Sequence, residues 1–320
     1  MSLVYLSRAE VERALPEPAA LVECVEAAYA ARARGEIMTK PKIGLFTESG
    51  NFFFSLAAAW EGLGYALTHA SFGTPLDKTP PGRHHVGSIE VLVETKQAQP
   101  VCVFDAFHVA LMLPAAVTAV AAKYLARKDA SVAGFVAAGA QARANLATLS
   151  TVRAVTTVLA YDENRAAADS FVRHAQALGL QAQAVAHPRE AVEPSDLVVT
   201  SVPYLPGMAP ALEPEWLKPG ATASMVDLAR SWRPGLERLD RLVTDDREQA
   251  AIQAADGRLK FAGPFDTELA ELVSGARPPR RTEAERAAFI HPGHAMGALA
   301  IAAAIYKRAK AQGLGTSLAY

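Results

Sequence analysis

The sequence is poor in cysteine and has almost no net charge. Cys24 and Cys102 are its two cysteines among 320 residues, and both stand in apolar, periodic surroundings, "LVECVEAA" and "PVCVFDA". This pattern argues against a disulfide framework or a metal site, and it predicts reduced thiols in a reducing cytoplasm. Lys and Arg number 32 against 33 for Asp and Glu, without any basic block, so nucleic acid is not an expected partner.

Long apolar runs and targeting signals are also missing. No stretch reaches the roughly 18 uncharged apolar residues that a membrane span needs. The opening "MSLVYLSRAE" lacks the pattern of a signal peptide. We therefore expect a cytoplasmic protein that does not cross a membrane. Hydrophobic residues make up 51% of the chain, which is enough for a sizeable core in one large or two ordinary domains.

The first third of the chain mixes helix and strand signals. Ser7 and Glu10 form a capping box that predicts a short helix. Strand patterns follow at "KIGLF", "NFFFSLAA", "LGYALTHAS", "SIEVLVE" and "PVCVFDA", and a proline-rich loop runs from Thr74 to Gly87. An alanine-rich helix is expected from about Ala106 to Arg127, and Pro114 inside it should kink or divide it.

Strands alternate with helices after Arg127, and several of these strands are apolar throughout, as in "VAGFVA" and "DLVVTS". This alternation is typical of a doubly wound parallel sheet covered on both faces, so we predict an α/β fold. The last helix, from about His294 to Gln312, follows the end of this region. It can pack on the first domain, which would make that domain discontinuous in sequence.

The stretch "FVAAGAQARAN", Phe135 to Asn145, looks like a dinucleotide-binding loop without its first glycine. The register G-x-G-x-x-G/A reads Ala137-Ala138-Gly139-Ala140-Gln141-Ala142. Gly139 would let a pyrophosphate approach the backbone, and a helix beginning near Ala140 would point its amides at the phosphates. Ala137 is acceptable if the turn keeps its φ negative. The alternative is an alanine-rich turn that binds nothing.

An acidic residue stands where a dinucleotide site would need one. Asp162 ends the next strand, 20 residues beyond Ala142. A carboxylate at that point accepts hydrogen bonds from ribose hydroxyls and repels a 2′-phosphate, which favours NAD. NADP remains possible because Arg165 is nearby.

The sequence resembles the ornithine cyclodeaminase/μ-crystallin family along nearly its whole length. The resemblance is carried by "AAKYLARKDASVAGFVAAGAQARANL", Ala121 to Leu146, and by "SDLVVTSVP", "LEPEWLKPGA" and "VTDDREQA". It implies a Rossmann-type NAD(P)-binding domain at 116–295 and an α+β dimerisation and substrate domain at 1–115 plus 296–320. It also implies a homodimer whose substrate is a small amino acid or imine.

The resemblance further implies hydride transfer. Family enzymes oxidise an amino acid to an imine, after which ring closure and loss of ammonia follow, and relatives reduce cyclic imines. The alternative is a non-catalytic NAD(P)H-binding protein, as μ-crystallin partly illustrates.

This chain departs from the family at two cationic positions. A family lysine is replaced by Ala66 in "LGYALTHA", and an Arg-Thr pair is replaced by Leu113 and Pro114. Ornithine is therefore a poor candidate, and a bulkier or less charged substrate fits better. The resemblance leaves Lys42, with Lys40 as a substitute, to hold a substrate carboxylate, and the alternative is a solvated lysine at a strand end.

Three more places are candidates for catalysis or substrate binding. The resemblance makes Asp227 the catalytic carboxylate, although its spacing is offset, and the alternative is a helix cap or an ion pair with Arg230 or Arg233. His69 is a candidate for proton transfer or a satisfied buried histidine. The loop residues can replace the lost anchors or be ordinary exposed side chains; they are Arg83, His84 and His85.

The remaining candidates concern the cofactor. The resemblance puts His291, in "FIHPG", close to the nicotinamide, and it suggests that the backbone of Ser201 and Val202 contacts the cofactor. His291 and His294 have no cysteine or acid clustered with them, so no metal is expected. The segment Asp245-Asp246-Arg247 should end a strand and cap the helix that follows it.

Overall fold

The computed structural model describes residues 2–80, 82–204 and 207–319. Its strands, in chain order, are β1 (Ser2–Leu6), β2 (Ile37–Thr39), β3 (Ile43–Phe46), β4 (Phe52–Trp60), β5 (Tyr65–Gly73), β6 (Val86–Glu94), β7 (Gln99–Asp105), β8 (Val132–Val136), β9 (Thr157–Tyr161), β10 (Gln181–Ala184), β11 (Leu197–Thr200), β12 (Thr222–Met225), β13 (Arg241–Thr244), β14 (Thr267–Glu268), β15 (Ala287–Ile290) and β16 (Thr316–Ala319). Its α-helices are α1 (Arg8–Ala14), α2 (Pro18–Ala33), α3 (Phe107–Leu125), α4 (Ala140–Leu149), α5 (Arg165–Ala177), α6 (Pro188–Val192), α7 (Arg247–Ala255), α8 (Leu269–Val273) and α9 (Ala295–Ala311).

The chain forms two compact units. Unit 1 comprises Met1–Leu113 and Gly293–Tyr320, and unit 2 comprises Pro114–Pro292. Unit 1 contains a sheet in the order β16-β1-β7-β6-β5-β4-β2, with β3 also paired to β4. Because side chains alternate along a strand, one face carries buried residues such as Leu56, Leu67 and Leu92, and α9 packs against β4, β5 and β6. The capping box of Ser7 and Glu10 is confirmed at the start of α1.

The opposite face of the unit 1 sheet, here called the outer face, is apolar and exposed. Leu45 pairs with Phe53, and Phe53 pairs with Phe72, so these side chains form a row across three strands. The exposed large apolar residues on this face are Met38, Ile43, Leu45, Phe53, Phe72 and Ile89. A continuous apolar patch of this kind marks a contact surface.

Helix α3 runs through Pro114 without a break, so Pro114 does not divide this helix, and the other expectation, a kink, stays a prediction. Proline removes one backbone donor, but the flanking turns of this alanine-rich stretch keep their own hydrogen bonds. Among the residues described, α3 is the one helix long and apolar enough to span a membrane, and 56% of that stretch is buried inside the protein. Core helices of globular proteins meet the same criteria.

Unit 2 has the predicted doubly wound sheet, with all its strand pairs parallel and the order β10-β9-β8-β11-β12-β15-β13-β14. The chain starts at β8, winds out to β10, and returns to continue with β11. The direction of winding therefore changes between β8 and β11, and ligands of such sheets bind at the carboxyl ends of the strands beside this point. Gly134 in β8 is required by packing, because a Cβ there would lie 1.9 Å from the carbonyl oxygen of Ala191 in α6.

Candidate active site

The loop after β8 has the shape of a dinucleotide loop. Ala137 has φ +73°, so the condition stated for an alanine at this position, a negative φ, is not met. The left-handed conformation is the one that the missing glycine would adopt without strain. The amide of Ala137 donates to the carbonyl of Tyr161 at 2.9 Å, which holds the turn against the end of β9. An alanine therefore occupies a glycine conformation without altering the turn.

Gly139 leaves open space where a phosphate would lie. It is the N-cap of α4, and a Cβ at this position would meet no described atom within 4 Å. The first amides of a helix have no partner within the helix, and they attract anions together with the helix dipole. The residues that form the loop, Ala137, Gly139, Ala140 and Gln141, therefore fit a pyrophosphate.

Asp162 follows β9 and is hydrogen-bonded to the loop. One of its carboxylate oxygens accepts from the amide of Ala138 at 2.8 Å, and the other accepts from the amide of Asn164 at 2.8 Å. Each oxygen keeps a second lone pair, so ribose contact remains a prediction. Arg165 is directed elsewhere, since its guanidinium pairs with Asp169 at 2.9 Å on the protein surface.

Asp227 is a buried carboxylate at the carboxyl end of β12. Thr200 donates to one of its oxygens at 2.9 Å, Ser231 donates to the other at 2.5 Å, and Trp232 donates to the Thr200 hydroxyl at 3.2 Å. Burial raises the pKa of Asp227, and the hydrogen bonds from Ser231 and Thr200 offset only part of that rise. The alternative of an ion pair with Arg233 does not hold, because Arg233 pairs with Glu213 at 2.7 Å.

The sequence suggests Arg230 only as an ion-pair partner for Asp227. Its guanidinium instead donates to the carbonyl of Val202 at 3.3 Å and lies 5.6 Å from the centre of the Tyr204 ring. Burial lowers its pKa, while Asp227 and Tyr204 raise it. The amide of Ser201 donates to the carbonyl of Val136 at 3.1 Å, which ties the end of β11 to the start of the glycine loop. The sequence signal was an arginine three residues after a strand-end aspartate.

His291 is buried at the end of β15, where its ring stacks on Phe289 with the ring centres 5.3 Å apart. Among residues 2–80, 82–204 and 207–319, the structure contains no group of three potential metal ligands. Asp246 caps α7 as expected, since its carboxylate accepts from the amide of Gln249 at 2.6 Å.

In unit 1, Lys42 lies beside the first residue of the returning segment. A Cβ on Gly293, whose φ is +92°, would be 3.2 Å from Lys42 Nζ. The ammonium group also lies 5.4 Å from the centre of the Phe54 ring. Lys42 is half-buried, whereas Lys40 is exposed, which favours Lys42 as the candidate anchor.

His69 is held on both sides within the unit 1 sheet. Its Nδ1 lies 2.7 Å from a carboxylate oxygen of Glu90, and its Nε2 lies 2.5 Å from the hydroxyl of Ser71. Glu90 is opposite His69 in the register of β5 and β6, and burial raises the pKa of the Glu90 carboxyl. This geometry favours the satisfied buried histidine over proton transfer to a substrate.

Two of the three basic residues of the proline-rich loop, His84 and His85, have described contacts within unit 1. The His84 ring lies 4.6 Å from the ring of Phe107, at the start of α3. The carbonyl of His85 accepts from the amide of Thr74 at 2.9 Å, and burial and the neighbouring His84 lower the pKa of His85. Arg83 is exposed. Their role in substrate binding therefore remains a prediction.

Comparisons with known proteins agree with this fold. A model of the ornithine cyclodeaminase/mu-crystallin family matches residues 2–313. The alanine dehydrogenase of Archaeoglobus fulgidus is 28% identical, over 100% of this chain and 99% of that protein.

Two solved structures are similar along their whole length. Thermococcus litoralis Delta(1)-pyrroline-2-carboxylate reductase, in complex with NADH and L-proline, has a TM-score of 0.89 and 25% identity, over 99% of this chain and 100% of that one. An archaeal alanine dehydrogenase dimer with bound NAD has a TM-score of 0.89 and 27% identity, over 100% of both chains.

Proposed function

The chain belongs to the ornithine cyclodeaminase/mu-crystallin family, and we propose that it is an NAD-dependent oxidoreductase of amino acids and imines. It moves a hydride between nicotinamide and the α-carbon of an amino acid or a cyclic imine. The observation that carries this proposal is the pairing, at one edge of the unit 2 sheet, of an open glycine loop at Gly139 with the buried carboxylate of Asp227.

The loop and the strand ends supply the cofactor site in this proposal. The amides around Gly139, Ala140 and Gln141 bind the pyrophosphate, and Asp162 accepts hydrogen bonds from the adenosine ribose. Support comes from relatives whose structures contain NAD or NADH. Asp162 favours NAD over NADP. When bound, the nicotinamide supplies or accepts the hydride.

Asp227 is the proposed proton donor to the substrate nitrogen. Because its pKa is raised, it stays protonated to a higher pH than an ordinary aspartic acid. In the direction of reduction it donates that proton to the imine nitrogen, which makes the neighbouring carbon a better hydride acceptor. Thr200 and Ser231 orient its two oxygens, so the carboxyl group has little freedom to turn away.

The substrate is an amino acid or imino acid with a carboxylate, for which Lys42 is the proposed unit 1 anchor. Ala66 and Leu113 stand where the family has cationic residues, so ornithine and its cyclodeamination are disfavoured against simple oxidation or imine reduction. The outer face, with Leu45, Phe53 and Phe72, is the proposed homodimer contact. The archaeal alanine dehydrogenase in the comparison is a dimer.

The test follows the absorbance of the reduced nicotinamide in a single turnover. NADH is mixed with the protein and with cyclic imines, and NAD with L-alanine or L-proline. We expect turnover by the wild type and a loss of about 100-fold or more in Asp227→Asn, with NADH affinity unchanged. Binding of NADH without turnover on any compound would favour the non-catalytic cofactor-binding alternative. No binding of NAD, NADH or their phosphorylated forms would refute the proposal.

A further inference from the structure

The buried carboxyl group of Asp227 and the partly buried guanidinium of Arg230 are close in sequence, but their side chains have different hydrogen-bond partners. Asp227 takes its hydrogen bonds from the hydroxyls of Thr200 and Ser231. Arg230 donates instead to the carbonyl of Val202. The two charges still influence each other, because Asp227 raises the pKa of Arg230.

The Arg230 guanidinium has more donors than its surroundings use. A guanidinium carries five N–H donors in one plane. In the described part of the chain, the Val202 carbonyl is the one hydrogen-bond acceptor of Arg230. Removing a cation from water costs free energy unless it is paired and hydrogen-bonded, so a partly buried guanidinium with unused donors indicates a place for an anion.

The other two arginines of the segment from Arg230 to Arg238 are not left with unused donors in the same way. Arg233, three residues further on, is exposed and pairs with Glu213. Arg238 is also exposed and pairs with Glu215. Arg230 alone among these three is partly buried and directed at a neutral carbonyl.

The position of Arg230 is the edge at which ligands of such sheets bind. Val202 follows β11 and Asp227 follows β12, and the carboxyl ends of these strands face the ligand side of the sheet. The guanidinium lies 5.6 Å from the centre of the Tyr204 ring, and contact with an aromatic face orients its plane. Tyr204 is exposed, and Arg230 is itself partly exposed.

We propose that Arg230 binds the carboxylate of an α-amino or α-imino acid whose nitrogen faces Asp227. Such a substrate carries a nitrogen and a negative carboxylate on the same carbon, so the nitrogen can exchange a proton with Asp227 while the carboxylate binds the Arg230 cation, three residues further along the chain. A planar guanidinium forms two parallel hydrogen bonds with a carboxylate. The inference rests on the proposed function and names its substrate class.

The test compares carboxylates with their amides. L-Proline and L-prolinamide are titrated into the NADH-loaded wild type, Arg230→Gln, Arg230→Lys and the control Arg233→Gln, by calorimetry. We expect Arg230→Gln to weaken L-proline binding by about 10- to 100-fold and to leave the amide unchanged. Arg230→Lys should recover part of the affinity, and Arg233→Gln should match the wild type. In turnover, KM should rise while kcat changes little.

The outcomes separate this inference from the proposed function. Failure of the wild type to bind NADH refutes the proposed function. If NADH binding is normal and the wild type and Arg230→Gln bind L-proline with equal affinity, the role of Arg230 is refuted and the proposed function is not. A wild type that binds L-prolinamide more tightly than L-proline also refutes the role of Arg230. Thermal melting of each variant identifies any loss of folding, and Arg230→Lys, which keeps the charge, then decides the result.

Discussion

The amide of Ala138 donates a 2.8 Å hydrogen bond to the carboxylate of Asp162, and this bond joins the glycine loop to the end of the next strand. The same carboxylate accepts from the amide of Asn164. Asp162 therefore has a structural role in the loop in addition to its proposed role at the ribose. A substitution there should change the loop and the cofactor selectivity together.

Replacing Asp162 with alanine should weaken NAD binding by about 10- to 100-fold and NADP binding by less. Loss of the loop hydrogen bonds weakens both nucleotides, whereas loss of the ribose hydrogen bonds weakens NAD in addition and the 2′-phosphate of NADP gains from removal of a negative charge. Calorimetric titration with both nucleotides measures the difference. Asp169→Ala, which removes an exposed carboxylate paired with Arg165, is the control and should change neither affinity. An equal loss for both nucleotides would show that Asp162 does not contact the ribose.

Ala137→Gly should raise the free energy of unfolding by about 0.5–1 kcal/mol. A left-handed conformation costs an alanine roughly 1–2 kcal/mol, and glycine removes that strain at a smaller cost in chain entropy. Ala138→Gly is the matched control: Ala138 is buried and has no positive φ, so glycine there should destabilise the protein. Urea unfolding of both variants measures the signs. A destabilising Ala137→Gly would contradict the strained turn.

The sequence allowed the parallel sheet and the position of the glycine loop to be predicted, because both follow from periodic local patterns. It did not allow the φ of Ala137 to be predicted, since the residues Ala137 to Ala140 are compatible with a turn in which this φ is either negative or positive. It also did not allow the contacts of Arg230 to be predicted, because the direction of a side chain depends on the fold around Val202 and Tyr204. The pair of His69 and Glu90 depends on strand register, which two separated segments do not reveal on their own.

Glu90→Gln should flatten the pH dependence of stability. Burial raises the folded-state pKa of Glu90 above its ordinary 4.5, and the hydrogen bond from His69 offsets only part of this rise. The stability associated with this proton is therefore complete below about pH 4.5 and is lost as the pH rises through the folded-state pKa. Glutamine at position 90 does not titrate. As the pH rises, the free energy of unfolding of the variant should therefore increase relative to that of the wild type.

Urea unfolding from pH 4 to pH 8 tests this expectation (the range brackets the ordinary carboxyl pKa of about 4.3). Glu94→Gln on the same strand is the control, because its carboxylate is bound by the amides of Lys96 and Gln97 instead of a buried histidine. Parallel pH profiles for the wild type and Glu90→Gln would contradict a raised pKa at Glu90.

Lys42→Met should raise KM for amino-acid or imino-acid carboxylates by about 10-fold and leave kcat nearly unchanged. The methionine keeps the length of the side chain and removes its charge. Lys40→Met is the matched comparison, since Lys40 is exposed and stands two residues away. Steady-state kinetics on a carboxylate substrate separates them. Equal effects of the two substitutions would indicate a general loss of positive potential and not an anchor at Lys42.

Leu45→Glu should convert the proposed homodimer into a monomer. Leu45 is 65% exposed in the single chain and continues the row of Phe53 and Phe72. A carboxylate buried in that contact would have no partner, which makes association unfavourable. Leu178→Glu is the control, since Leu178 is similarly exposed, at 56%, but belongs to unit 2. Sedimentation analysis of both variants distinguishes the two cases. A Leu45→Glu protein that remains dimeric would mean that the outer face is not the dimer contact.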